Sequence, residues 1–255
     1  MSLQTLSYHD GATLSYAETG DPHGFPVLIQ HGLIASIRDN QLFNGLRSAG
    51  ARLIAIARPG YGESTPHPMN NMAEWGEIVA LLVEELRLTQ FDVLGMSSGA
   101  PYSYAIAWRM PAKTRRLWIL SGTPALFDDA VLAHWPYPVD RQAGLAELQT
   151  LAHELFFAHA SPAELARDDM RDSLRWHSFG IAQDFKLRCQ DWGFGLSEIA
   201  TPVRMRHSRA DDSVPLITAE LTARQLPNCQ FEVREHDPHF SQAVLDDFLS
   251  TWPAE

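Results

Sequence analysis

The 255-residue sequence has few cysteines, a deficit of basic residues and no long hydrophobic run. Its only cysteines, Cys189 and Cys229, lie far apart, so we expect neither a disulfide framework nor a zinc-ligand pattern, and a reducing, cytoplasmic compartment fits best. With 20 basic against 31 acidic residues, the net charge of −11 argues against nucleic-acid binding. No apolar run approaches the roughly 18 residues of a membrane span, and the N-terminus lacks a signal-peptide pattern. The sequence does not predict an oligomeric state.

Short apolar segments alternate with longer helical patterns along most of the chain. Strands are predicted at residues 3–7, 13–19, 27–30, 52–57, 92–95, 116–121, 203–207 and 230–233, the first two as a hairpin around His9, Asp10 and Gly11. Helices are predicted at residues 38–49, 73–86, 98–109, 215–226 and 240–250. In the second of these, Trp75, Ile78, Val79, Leu82 and Leu86 recur at helical spacing. The alternation favours an α/β fold, with a mostly parallel sheet covered by helices on both faces.

One segment, residues 124–198, interrupts this alternation. It has no convincing strand, it is rich in proline, histidine and aromatic residues, and helices are predicted at 146–158 and 163–176. We expect most of its aromatic side chains to form a small core of their own. The predicted organisation is a core domain in two parts, residues 1–123 and 199–255, with a helical lid at 124–198.

A pair of serines follows the strand predicted at residues 92–95. Residues 95–99 read G-M-S-S-G and fit the G-x-S-x-G pattern, in which a nucleophile stands on a sharp strand-to-helix turn. Only Ser97 has glycine two residues away on both sides, because Ser98 has Met96 and Ala100 there. The alternative is that the serine only caps the following helix. The surrounding strand and helix favour Ser97 as a nucleophile.

Four further segments accompany this turn: V-L-I-Q-H-G-L at 27–33, A-R-P-G-Y-G-E-S at 57–64, H-S-R-A-D-D-S-V-P at 207–215 and E-H-D-P-H-F at 235–240. Together, and in this order, they resemble the α/β-hydrolase-fold family through most of the chain outside residues 124–198. The resemblance implies an eight-stranded, mostly parallel twisted sheet, with the helical lid inserted between strands 6 and 7.

The resemblance also implies a catalytic triad, with Ser97 as nucleophile, Asp211 as acid and His239 as base. Asp212 is the alternative to Asp211, although it is expected to cap the next helix, and His236 is the alternative to His239. The backbone N–H groups of Leu33 and Ser98 would form the oxyanion hole, and His31 would order the first of these loops.

These assignments predict a serine hydrolase that cleaves a small carboxylic ester, lactone or thioester through an acyl-enzyme. Other chemistry of related proteins remains open, namely C–C bond hydrolysis, perhydrolase or haloperoxidase activity and lyase activity. The elbow differs from the G-G-S-W-G typical of proline iminopeptidases, which makes an aminopeptidase less favoured. Ala57 stands where the family usually has Asp, and Ser208 and Pro238 where it usually has Gly, which leaves a slow-turnover ligand-binding protein as another alternative.

No metal or cofactor is expected. Residues 153–159 read H-E-L-F-F-A-H and superficially resemble a zinc-binding helix, but Phe157 stands where the second histidine must be. No phosphate-binding or dinucleotide-binding glycine motif is present. The expected partner is therefore a small acyl substrate.

Overall fold

Eight strands form a single sheet in the computed structural model, which describes residues 3–9, 11–39 and 41–252. The strands are β1 (Leu3–Tyr8), β2 (Ala12–Gly20), β3 (Pro26–Gln30), β4 (Arg52–Ile56), β5 (Phe91–Met96), β6 (Thr114–Leu120), β7 (Val203–Ser208) and β8 (Cys229–Arg234). Their order is β1-β2-β4-β3-β5-β6-β7-β8, in which β2 runs antiparallel to β1 and β4 and all other pairs are parallel. Every predicted strand is present within two residues; Asp10, in the predicted first turn, lies outside the described residues.

Ten α-helices are found in the described ranges: α1 (Asn44–Ser48), α2 (Ala73–Glu85), α3 (Ala100–Arg109), α4 (Asp129–Leu132), α5 (Leu145–Phe156), α6 (Pro162–Leu165), α7 (Asp168–Leu174), α8 (Phe179–Leu187), α9 (Leu216–Gln225) and α10 (Gln242–Leu249). None of these helices has the length and apolar character needed to cross a membrane.

Two helix predictions were wrong in extent, and one helix was missed. The helix predicted at 38–49, in which Asn40 lies outside the described residues, is reduced to the five residues of α1. The helix predicted at 163–176 divides into α6 and α7, because Arg167 between them has an extended backbone with ψ of 146°. Helix α8 was not predicted at all. It is buried almost all round and so shows no one-sided apolar pattern, and it follows three residues of left-handed backbone without a glycine, namely Trp176, His177 and Ser178.

Side chains of successive strand residues alternate between two cores, one on each face of the sheet. On β5, Val93 belongs to the core beneath α2, α3 and α9, whereas Leu94 belongs to the core beneath α1 and α10. On β6, Ile119 belongs to the first of these cores and Trp118 to the second. This two-sided burial explains the continuous apolar runs of the central strands and confirms the predicted α/β fold.

Helices α4 to α8 lie in the segment between β6 and β7, which we call the insertion (residues 124–198). Its aromatic side chains do not form one separate core, so that expectation was wrong. Trp192 stacks on Tyr104 of α3 at 6.2 Å between ring centroids, and Phe194 stacks on Trp108 at 5.2 Å. Residues near the end of the insertion therefore contribute to the core of the sheet rather than to the insertion itself.

Candidate active site

Ser97 lies at the turn that joins β5 to α3. Strand β5 ends at Met96, a short 3-10 turn covers Ser97–Gly99, and α3 begins at Ala100 with a proline in its first turn. The φ angle of Ser97 is +49°, in the left-handed region that residues with a side chain rarely adopt. Strained backbone of this kind is characteristic of functional sites and of the serine in a strand–turn–helix elbow.

The two glycines of the turn are required by close packing. A Cβ atom on Gly99 would lie 2.1 Å from the carbonyl oxygen of Gln30, at the end of β3. A Cβ atom on Gly95 would lie 2.3 Å from the hydroxyl of Ser103 on α3. The G-x-S-x-G spacing therefore has a steric cause here, because it lets the turn sit directly against a neighbouring strand and its own helix.

The side chains of Ser97, His239 and Asp211 form one hydrogen-bonded row, although they are far apart in sequence. His239 Nε2 lies 3.0 Å from Ser97 Oγ, and His239 Nδ1 lies 2.8 Å from Asp211 Oδ2 and 3.0 Å from Asp211 Oδ1. An ionised carboxylate only accepts hydrogen bonds, so Nδ1–H donates to Asp211 and the bare Nε2 faces the serine hydroxyl. This tautomer lets the imidazole accept the proton of Ser97.

The competing residues lie outside this row. His236 is exposed, and the exposed Asp212 carboxylate accepts a hydrogen bond from the hydroxyl of Ser213. The expectation that Asp212 caps the next helix was wrong, because α9 begins at Leu216 with Pro215 in the capping position.

Asp211 is held in its ionised form by its surroundings. Burial alone would raise its pKa, but hydrogen bonds from His239 and from the backbone N–H groups of Val214 and Ser213 leave the pKa below the ordinary value. His207 lies beside this carboxylate, with Nε2 at 3.3 Å from Asp211 Oδ2 and 2.8 Å from the Val214 carbonyl oxygen. Burial lowers the pKa of His207, so its neutral ring packs against the acid.

The two predicted oxyanion donors border the same space as the serine. Leu33 and Ser98 both line the cavity that contains Ser97 and His239. Within the described residues, the N–H of Leu33 makes no hydrogen bond. The N–H of Ser98 belongs to the first turn before α3, where N–H groups have no partner inside a helix. Both N–H groups can therefore donate hydrogen bonds to a negatively charged oxygen of a substrate. The positive end of the α3 helix dipole favours the same charge.

Arg58 and Asp184 support the loop that carries Leu33, and the sequence reasoning did not identify this role for them. The Arg58 guanidinium donates to the carbonyl oxygens of His31 and Gly32 at 2.6 Å and 2.9 Å. Its other N–H groups bind the carboxylate of Asp184 on α8, which also accepts from Tyr61 and Tyr102. Asp184 could not be recognised because helix α8 itself had no detectable periodicity.

Two of the departures from the family pattern, Ala57 and Ser208, lie in turns that hydrogen bonds support. The carbonyl oxygen of Ala57 accepts a hydrogen bond of 2.7 Å from Ser64 Oγ, and its N–H donates to Ser15. Ser208 Oγ accepts a hydrogen bond from the N–H of Ala210 and so stabilises the turn before Asp211. His31, expected to order its loop, is buried; its Nδ1 binds the Gly32 carbonyl, and its Nε2 accepts from the Arg58 N–H.

A cavity of about 1020 Å³ opens over Ser97 and His239. Most of its lining side chains are apolar, and they come both from the sheet side and from the insertion, including Ile34, Leu120, Leu148, Leu151, Phe156 and Phe185. Across the described ranges, no group of three or more His, Cys, Asp or Glu side chains is arranged to hold a metal ion. The arrangement is suited to attack by a serine on an apolar substrate in a partly enclosed site.

Comparison with known proteins identifies the family. A family model described as alpha/beta hydrolase fold matches residues 26–172, so the chain belongs to this family. An esterase from Exiguobacterium antarcticum has the same fold, with a TM-score of 0.74 and 19% identity over 99% of both chains.

Relatives of known activity are diverse. The chain is 25% identical to a 2-hydroxymuconate semialdehyde hydrolase of Pseudomonas sp. over 89% of its length and 87% of that protein. It is 27% identical to a pimeloyl-[acyl-carrier protein] methyl ester esterase of Aromatoleum aromaticum over 76% of its length and 83% of that protein. A proline iminopeptidase of Xylella fastidiosa is 30% identical over 62% of this chain, which spans only half of that enzyme's length. The family is therefore established, whereas the reaction is not fixed by similarity.

Proposed function

We propose that this protein is a serine hydrolase that cleaves a small carboxylic ester, lactone or thioester through an acyl-enzyme on Ser97. The observation that carries the proposal is the row Ser97–His239–Asp211, with 3.0 Å between serine and imidazole, at the base of an apolar cavity. A serine hydroxyl is a weak nucleophile and needs an adjacent base that a third group orients.

In the proposed mechanism, Ser97 Oγ attacks the carbonyl carbon while His239 Nε2 accepts its proton. The ionised Asp211 fixes the imidazole tautomer and stabilises the imidazolium that forms. The N–H groups of Leu33 and Ser98 bind the oxyanion of the tetrahedral intermediate, and losing one such donor lowers the rate by about 10²–10³. His239 then protonates the leaving alcohol or thiol, and a water activated by His239 releases the acid.

The insertion serves as the lid in this proposal. Its side chains Leu148, Phe156 and Phe185 form part of the cavity wall, opposite residues of the sheet side such as Leu120. An apolar wall that excludes water strengthens the electrostatic contacts at the reacting carbonyl and favours a hydrocarbon acyl or alcohol group. The cytoplasmic location expected from the cysteine content is part of the same proposal.

A C–C bond hydrolase is the second candidate, because the semialdehyde hydrolase is similar over 89% of this chain. Ester cleavage is the favoured candidate because it needs only the groups already named, and because the methyl ester esterase aligns over 76% of the chain. The aligned proline iminopeptidase makes amide cleavage a third reaction that the test must include.

The test is a panel of substrates with matched serine variants. We expect 4-nitrophenyl butyrate to be hydrolysed with a higher kcat/KM than proline 4-nitroanilide or 2-hydroxymuconate semialdehyde. Ser97→Ala should remove this activity, whereas Ser98→Ala, which keeps the backbone N–H, should retain it. If the semialdehyde is cleaved preferentially, C–C bond hydrolysis replaces ester hydrolysis as the proposed reaction. Rapid acylation of the protein without turnover of any ester would instead indicate a ligand-binding protein.

A further inference from the structure

Arg188 places a guanidinium at the wall of the cavity over Ser97. It follows the last residue of α8, at the helix C-cap, and it lines the same cavity as Ser97 and His239. The guanidinium carbon lies 4.5 Å from the ring centroid of Phe185 and 5.5 Å from that of Trp135. Two aromatic faces therefore hold this cation in position beside the substrate space.

Within the described residues, Arg188 makes no ion pair with a protein carboxylate. Among the described residues, no Asp or Glu oxygen lies within 4.0 Å of its guanidinium nitrogens, and its buried Nε makes no hydrogen bond. Burial lowers the pKa of Arg188 more than the neighbouring Cys189 thiol and the Asp184 carboxylate raise it, but an arginine side chain keeps its proton in proteins. Arg58, the other arginine joined to α8, shows the contrast, because Asp184 binds it at two points.

The carboxylates that also line the cavity are engaged elsewhere. Asp39, Asp140 and Glu147 are exposed, and each accepts a hydrogen bond from a backbone N–H of a nearby turn or helix start. They lie where solvent screens them, whereas Arg188 is half-buried with its Nε out of contact with solvent. Among the described side chains that line the cavity, the enclosed charged group without an ion-pair partner is therefore the guanidinium of Arg188.

We propose that Arg188 binds a carboxylate carried by the substrate, so that the substrate is an ester, lactone or thioester with a second, free acid group. This inference rests on the proposed hydrolase function. The planar guanidinium can donate two parallel hydrogen bonds to a carboxylate. One negative charge balances the single cation, whereas a doubly charged phosphate would leave a surplus charge within apolar walls.

The first experiment compares matched acid and neutral esters with the wild-type protein. A comparison of mono-4-nitrophenyl adipate with 4-nitrophenyl methyl adipate tests a carboxylate on the acyl side. A comparison of 3-carboxyphenyl butyrate with its methyl ester tests a carboxylate on the alcohol side. We expect the acid to have the higher kcat/KM in one pair, mainly through a lower KM. Preference for the neutral ester in both pairs overturns the proposal.

The second experiment removes the cation. Arg188→Met should decrease the acid-over-neutral ratio of kcat/KM by about tenfold to a hundredfold, the effect of losing a hydrogen bond between charged groups. Arg188→Lys should restore part of the ratio. Lys186→Met removes a positive charge from the same helix outside the cavity lining and should leave the ratio unchanged. An equal loss on both esters would assign Arg188 to packing against Phe185 and Trp135 and overturn the proposal.

Binding without turnover separates this inference from the hydrolase function. Calorimetric titrations use monomethyl adipate for the acyl side and 3-carboxyphenyl butyrate for the alcohol side. The Ser97→Ala variant should bind one of them with a lower Kd than the Ser97→Ala, Arg188→Met double variant does. Unfolding temperatures of all variants establish that they are folded. Arginine-dependent binding by a protein that hydrolyses no ester would refute the hydrolase function but retain the carboxylate site. Equal binding of each ligand by the two variants refutes the site whatever the activity.

Discussion

Arg58 and Asp184 form a buried two-point ion pair that joins the turn after β4 to helix α8 of the insertion. Arg58 Nη2 lies 2.6 Å from Asp184 Oδ2 and Arg58 Nε lies 3.2 Å from Asp184 Oδ1, with side-chain exposures of 1% and 4%. Because the same guanidinium holds the His31 and Gly32 carbonyls, the insertion is coupled to the loop that carries the Leu33 N–H. Helix α8 thus supports the loop that is proposed to form the oxyanion hole, and its Phe185 also forms part of the cavity wall.

Removing the carboxylate of this pair should be strongly destabilising. Asp184→Asn leaves the Arg58 charge buried without a full counter-charge, which typically costs about 3–5 kcal/mol in the free energy of unfolding. Urea unfolding measures the loss. The control is Asp129→Asn, whose carboxylate is 86% exposed in its pair with Arg141 and should contribute less than about 1 kcal/mol. Equal effects of the two variants would contradict the structural role of Asp184.

The buried His31 should make stability depend on pH. Burial, with the nearby Arg58 charge, holds the pKa of His31 well below 6.5, so the folded protein does not take up the proton that the unfolded chain binds. Stability is therefore lost as pH falls below 6.5, by about 1.4 kcal/mol for this group between pH 7.5 and 5.5. Urea unfolding at both values should show a smaller decrease in His31→Gln. The exposed His23→Gln should leave the decrease as in the wild type.

The close approach of β3 to the elbow makes Gly99 intolerant of a side chain. In Gly99→Ala, the added Cβ would meet backbone atoms of Gln30 at 2.1 Å and of His31 at 2.8 Å, which cannot rotate away. We expect a loss of about 1–3 kcal/mol from overpacking and reduced turnover, because the turn must shift Ser97. Gly144→Ala is the matched control, since its Cβ would meet only Glu147 Oε2 at 3.6 Å. Thermal unfolding and ester turnover of the two variants provide the check.

Isosteric substitutions can decide whether Asp211 or Asp212 is the acid of the proposed triad. Asp211→Asn should lower kcat by about 10⁴, because an amide no longer imposes the productive tautomer on His239. Asp212→Asn alters a carboxylate that contacts only the Ser213 hydroxyl among the described residues and should keep kcat unchanged. Steady-state kinetics on one nitrophenyl ester compares them. A greater loss in Asp212→Asn would transfer the acid role to that residue.

Strands and the elbow could be predicted from the sequence because their signals are local. Apolar runs of four to seven residues mark buried strands, and G-M-S-S-G is a contiguous pattern whose glycines are fixed by contacts of 2.1 Å and 2.3 Å. The positions of Asp211 and His239 followed from the family resemblance rather than from spacing. Their approach to Ser97 depends on the ends of β5, β7 and β8 meeting at one edge of a parallel sheet.

The insertion could not be predicted to the same depth because its structure depends on tertiary contacts. Helix α8 is covered on nearly every side, so its apolar residues do not form a stripe. The role of Asp184 on this helix depends on its contact with Arg58, and the role of Arg188 at the end of the helix depends on its place in the cavity wall. Arg58 and most residues of the cavity wall are remote from this helix in sequence. Similarly, Trp192 packs on Tyr104 across 88 positions of sequence, which no local pattern specifies.

The most direct test of the account is to locate the site of covalent modification by a fluorophosphonate. Mass spectrometry of the labelled, proteolysed protein should find a single phosphonyl group on Ser97. Labelling should disappear in Ser97→Ala and persist in Ser98→Ala, since only the first variant removes the hydroxyl that lies 3.0 Å from His239 Nε2. A phosphonyl group on Ser98, or labelling that survives Ser97→Ala, would contradict the assignment of Ser97 as nucleophile.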